Sequence, residues 1–300
     1  MLWSMSPSPL LQLDEAVSRA AFAAAPEKAE DLFTRVRHIK LNFVYEHDNH
    51  AGRFEFSSSP RLSVINIHQG ALELLWAASF AFPMLFRICR DSQQQGRDRM
   101  NATDFPELQQ AFRLYGWALN KCCTGVCEPW PREFPSPQNG DLQTRLATEL
   151  FLVAVGWILL HESAHILLGH KIDGPNDLKK REECEADRFA TEWLLQGVTD
   201  STMLQKRSLG IAIANLILIA LDLRAERLDL LEHPRSVERL NDNLRNYLPD
   251  ADTELAYALA IAVLQAHFWI FGVNHTIDHD AAFGFLLDGL CTDLTRHRFQ

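Results

Sequence analysis

Hydrophobic and polar positions along the chain divide it into four stretches. From Leu10 to about Lys40, apolar residues, many of them alanine, recur at helical spacing, with Pro26 as a helix start and Glu27-Lys28-Ala29-Glu30-Asp31 as a charged first turn. The period then shortens to two. Asn42-Phe43-Val44-Tyr45, Arg53-Phe54-Glu55-Phe56 and residues 61–67 alternate and are rich in β-branched and aromatic side chains. Asn49 to Gly52 and Ser57-Ser58-Ser59-Pro60 punctuate them as turns, and a small three-stranded antiparallel sheet is predicted. From Gly70 to about Cys123 the helical period returns, broken near Pro83 and around Gln93-Gln94-Gln95-Gly96. The Pro-rich segment from Glu128 to Pro137 cannot continue a helix, because each proline removes a backbone donor, and reads as an extended loop anchored by Trp130 and Phe134. From Leu142 onward nearly everything is helical, and no internal repeat is visible.

The expected fold is therefore mainly α with a small N-terminal antiparallel β-sheet (α+β). We assign one domain over 1–300: helix plus sheet in 1–70, helices and the Pro-rich loop in 71–141, and a helical core in 142–300. Three apolar runs, 74–86, 150–160 and 211–221, fall short of the roughly 20 residues a membrane span needs and are bounded by charge or proline. The run 255–273 is long enough but contains Gln265 and His267, which favours a buried core helix.

Composition narrows the partners. The 300 residues are 47% hydrophobic and 23% charged, enough for a full core, and 29 Lys+Arg against 39 Asp+Glu give a net charge of −10. That balance argues against nucleic-acid and anionic-membrane partners, whose phosphates call for a basic surface. Met1-Leu2-Trp3-Ser4-Met5-Ser6-Pro7 lacks the basic stretch and apolar run of a secretory signal, so a cytoplasmic address is expected. The six cysteines then read as reduced thiols. Cys122, Cys123 and Cys127 cluster, without a second Cys/His pair at zinc-finger spacing.

One motif carries chemistry. His161-Glu162-Ser163-Ala164-His165 is an HExxH, preceded by an uncharged apolar run that places it on a buried helix. Residues i and i+4 share a helix face, so the imidazoles of His161 and His165 can converge on one Zn2+, leaving Glu162 to act as general base on a water in the open position. His170 does not complete a metzincin pattern, because Leu168 and Lys171 stand where that pattern needs Gly and His. His170 instead reads as the cationic close of the helix near Gly169. Glu183-Cys184-Glu185-Ala186-Asp187, 17 residues beyond His165 on a second helix, offers Glu183 as third ligand. Glu185 is the rival, on another face, and Asp187 is placed one turn on to accept the outer N–H of a ligating histidine. Two charged segments on adjacent buried helices would be costly without a cation between them. His275 and His279 share the i, i+4 spacing but read as a solvated helix end.

These residues resemble the gluzincin side of the zinc peptidases. His233-Pro234-Arg235-Ser236-Val237-Glu238-Arg239-Leu240 is similar to the His-Pro…Arg motif that follows the zinc helices in several such families. More specifically, the chain resembles the Lit-type phage-exclusion peptidases along most of its length. The matching segments are Ala25-Pro26-Glu27-Lys28, residues 71–76, Cys127-Glu128-Pro129-Trp130-Pro131, residues 150–170, 181–197, 206–212 and 233–240. The resemblance implies a zincin-like core and a cytoplasmic zinc endopeptidase. In that family the enzyme cleaves translation elongation factor Tu after activation by a phage capsid peptide, aborting infection. His161, Glu162, His165 and Glu183 carry over.

The mechanism expected on these residues is metal-assisted peptide hydrolysis, with Glu162 taking the water proton and delivering it to the leaving amine. His233 is the candidate imidazole donor to the tetrahedral oxyanion, with Arg239 orienting its segment. A helix-capping His233 beside a surface ion pair of Arg239 is the alternative. Two other readings stand beside the protease: a zinc-bound sensor or toxin–antitoxin regulator that acts by binding, and a membrane-embedded peptidase using 255–273 as a span. A protease free in the cytosol would be toxic, so latency until triggered is expected.

Overall fold

In the computed structural model residues 8–44, 54–97, 104–126, 128–171, 174–224, 236–245 and 254–270 are described. The chain opens with a 3₁₀ turn at Pro9–Leu13 and short helices α1 (Asp14–Ser18), α2 (Ala20–Ala24) and α3 (Ala29–Val36). Three strands follow, β1 (Lys40–Val44), β2 (Phe56–Ser59) and β3 (Val64–His68). The long helices are α4 (Gln69–Gln94), α5 (Pro106–Thr124), α6 (Leu142–Leu167), α7 (Asn176–Leu195) and α8 (Ser201–Arg224), with α9 (Ser236–Arg245) and α10 (Glu254–Ile270) after them.

The sheet is mixed, not antiparallel. Its order is β1-β3-β2, with β3 antiparallel to β2 but parallel to β1. β3 takes the centre because its Ile65 and Ile67 are buried in the core, and the turn from Pro60 to Ser63 lays it back along β2. Ser57, Ser58 and Ser59 accordingly form β2 and are not a turn. Ser63, with φ of 50°, makes the reversal, and its carbonyl accepts from the Lys40 N–H at 2.8 Å to start the parallel pair.

Pro83 does not break α4, which runs on to Gln94 before Gly96 ends it at φ of 69°. A proline inside a helix costs about 3 kcal/mol. Here the buried side chains on both sides of it, from Trp76 and Phe80 to Leu85 and Ile88, offset that cost. The Pro-rich loop is anchored as its sequence suggests: Trp130 is buried between Trp76 and Trp117, with ring centroids 5.7 and 5.4 Å away. A fully buried ion pair, Lys121 Nζ to Glu73 Oε2 at 2.7 Å, ties α5 to α4, and the same ammonium donates to the Glu128 carbonyl.

Helix α6 is the axis of the molecule. Asp141 caps it by accepting from the Thr144 N–H at 2.8 Å, and it is apolar nearly all round because α2, α4, α7, α8 and β2 surround it. Gly156 allows α2 to cross it closely, since a Cβ there would meet the Ala20 carbonyl oxygen at 2.8 Å. As complete helices, α4, α6 and α8 are each long and apolar enough to cross a membrane, with mean hydropathies of 1.5, 1.7 and 1.4. The runs that read as too short stop at polar residues through which the helices continue. Between 72% and 78% of those windows is buried inside the protein.

Candidate active site

The last two turns of α6 and the middle of α7 bring three ligand-type atoms together. His161 Nε2 and His165 Nε2 lie 3.1 Å apart, and the Glu183 carboxylate oxygens lie 3.4 Å from each. Zinc bonds of about 2.0–2.2 Å at tetrahedral angles put neighbouring donors about 3.3–3.5 Å apart, so the triangle has the size of a zinc face. Among the described residues this is the one group of three or more such side chains that converges in this way. The carboxylate of Glu185 instead lies outward, half exposed.

Charge makes the same argument independently. Glu162, Glu183 and Asp187 are three carboxylates in or beside a largely buried pocket, against one permanent cation, Arg239, leaving two negative charges for a divalent ion to balance. Without a metal, His161 supplies one of those two charges. Burial works against a charged ring, but Asp187 and Glu183 outweigh it and hold the His161 pKa at about 10. Burial and the His161 charge push His165 down to about 3, keeping it neutral. Burial, aided by the Glu183 charge, raises Glu162 to about 7.

The supporting contacts are specific. His161 Nδ1 lies 2.8 Å from Asp187 Oδ1, so when a metal takes the place of the Nε2 proton the remaining proton, on Nδ1, is held beside a carboxylate. Arg239 donates from Nε and Nη2 to the two Asp187 oxygens at 2.7 Å each, and its Nη1 is 3.6 Å from Glu183. It is thus a buried bidentate partner and not a surface ion pair. One turn along each helix a second polar layer runs parallel. Trp157 Nε1 donates to Thr191 Oγ1, Thr191 to Asn243 Oδ1, and Asn243 Nδ2 to Asn215 Oδ1, at 3.0, 3.1 and 3.3 Å. It joins α6, α7, α9 and α8 directly behind His161, Asp187 and Arg239.

Two residues near the centre had no functional signal in the sequence. Ser58 of β2 lies beside the Glu162 carboxylate and favours its ionised form, against the effect of burial. His170 closes α6 as its position suggests, and its ring is buried against His165. Ser58 lay in what read as a turn, and only the tertiary fold reveals either contact. His233, His275, His279 and Cys127 lie outside the described residues. Cys122 is buried and donates weakly to the Gly70 carbonyl, and burial pushes its thiol well up, which suits an inert core thiol.

Comparison with known proteins points the same way as the geometry. The model of a family described as peptidase U49 matches residues 65–262, a span that includes His161, Glu162, His165, Glu183, Asp187 and Arg239. The chain is 32% identical over 294 residues to the cell death peptidase of Escherichia coli (strain K12), covering 96% of this chain and 98% of that protein. No solved structure matches it.

Proposed function

The chain belongs to the peptidase U49 family of Lit-type peptidases, and from that premise we propose that it is a zinc-dependent endopeptidase of a phage-exclusion response, acting in the cytoplasm and latent until triggered. The observation that carries the zinc reading is the triangle of His161, His165 and Glu183 donors, sized for one tetrahedral ion. These three would hold the ion. Bound there, zinc supplies an acidified water and a polarised scissile carbonyl.

The remaining steps belong to the chain's own side chains. Glu162, beside the histidine and glutamate ligands, is placed both to take a proton from the attacking water and to return it to the leaving amine. Ser58, on the sheet side, favours the ionised form of that carboxylate. Asp187 and Arg239 keep the His161 ring and Glu183 in register. β2 is an edge strand packed against α6, and an extended substrate segment can add to such an edge through backbone hydrogen bonds. By the resemblance stated above, the substrate is elongation factor Tu and the trigger a phage-derived peptide.

The test pairs wild type with Glu162→Gln. Equal zinc per chain in both is expected, with cleavage of elongation factor Tu in the presence of a phage-derived activator confined to wild type and reduced by at least about 100-fold in the variant. Zinc in both without cleavage in either would favour a protein that acts by binding. No zinc in either would end the metal reading.

A further inference from the structure

Helix α6 ends in a turn that returns the chain to its own active face. Gly169, at φ of 69°, takes the left-handed position after the helix, and the His170 N–H closes on the His165 carbonyl at 3.0 Å. A side chain with a Cβ is disfavoured at that φ, so glycine is what allows the reversal. The next amide, Lys171 N–H, donates to Glu182 Oε1 at 3.1 Å, which pins the turn to α7. As a result the His170 ring is buried, its Nδ1 is 2.8 Å from His165 Nδ1, and its Nε2 faces Glu185 Oε2 at 3.4 Å.

Ring chemistry gives this chain a direction. When His165 offers the Nε2 lone pair to a metal, its proton is on Nδ1, and the atom placed to receive it is His170 Nδ1. His170 then carries its own proton on Nε2, a buried atom without a hydrogen-bond partner that lies 3.4 Å from Glu185 Oε2. We propose that His170 is the positioning residue that fixes the ring and tautomer of His165 as a metal ligand, as Asp187 backed by Arg239 does for His161. This rests on the zinc-peptidase reading. It also accounts for a buried imidazole that no step of hydrolysis uses.

The experiment measures zinc affinity by competition with a chromophoric chelator in wild type, His170→Ala and His170→Asn. The Asn side-chain oxygen can accept where Nδ1 did. His170→Ala is expected to weaken zinc binding by about 10–100-fold and His170→Asn to stay within about threefold of wild type. His170→Ala binding zinc as wild type does would overturn the proposal. So would His170→Asn being as weak as His170→Ala, since the ring would then matter only as packing. Wild type that binds no zinc would overturn the metal reading itself, whereas zinc in wild type with an indifferent His170→Ala would overturn this inference alone.

Discussion

At the scale of single residues, the site is held by charge as much as by shape, and Arg239 is where that can be measured. Its guanidinium is nearly buried, with burial opposing its charge, yet Asp187 and Glu183 keep it firmly protonated. Arg239→Leu would leave those carboxylates without their permanent cation, and removing one partner of a buried pair costs about 3–5 kcal/mol. The expected outcome in urea unfolding is a loss of that order for the metal-free variant, with added zinc restoring much of it, because a dication pairs the same carboxylates. An equal loss with and without zinc would mean that Arg239 braces the fold independently of the cluster. How far such residues could be read from sequence depends on what fixes them. His161, His165 and Glu162 follow from one helical turn, and Glu183 with Asp187 from another, so local spacing is enough to nominate them. Ser58, His170 and the bidentate grip of Arg239 depend on which elements meet, and spacing carries no trace of that.

At the scale of elements, the position of α7 decides where Glu183 falls, and the N-terminal segment holds its far end. Lys28 Nζ donates to the carbonyls of Glu192, Trp193 and Gln196 at 3.3, 2.7 and 2.8 Å, a cation at the carbonyl end of the helix. Beside it Arg207 of α8 grips Glu27 with Nη1 and Nη2 at 2.6 and 2.8 Å while Nη1 also donates to the Leu194 carbonyl. The Arg207 hydrogen bonds, working against partial burial, lower the Glu27 pKa from its ordinary 4.5. A carboxylate with a depressed folded pKa adds stability that is fully present above its unfolded value and lost as pH falls through the folded one. Glu27→Gln should therefore cost roughly 1–2 kcal/mol at pH 7, discounted because Glu27 is half exposed. The gap to wild type should begin to close as pH drops below 4.5 and vanish at lower pH, read from urea midpoints across that range. A gap independent of pH would assign the effect to packing. Element type was largely legible in hydrophobic period, but strand direction and helix continuity were not. Alternation finds β3 without saying that β1 runs parallel to it, and Pro83 punctuates a sequence whose buried neighbours carry the helix through.

For the molecule as a whole, the open question is how α4, α6 and α8 use their apolar surface, since each is long and apolar enough to span a bilayer. A bundle facing lipid needs large apolar side chains on its outside at mid-helix. Among the described residues the exposed large hydrophobics are Phe33, Leu62, Val126, Leu142, Leu146, Leu168 and Met203, and those on or beside these helices lie at their ends. The middle of α6 packs against α2, α4, α7 and α8, and its last turns carry His161 and Glu162 toward Glu183, Asp187 and Arg239, a set of ionised groups that bilayer depth would penalise. The apolar surface is used to cover α6, and the net charge of −10 suits a solvated exterior over an anionic membrane. The expected outcome is that the native protein, released without detergent, stays in the supernatant after high-speed centrifugation and binds zinc there. Recovery only from a carbonate-washed membrane pellet would require the outward faces of α4 or α8 to differ from those described, and would move the peptidase to the bilayer.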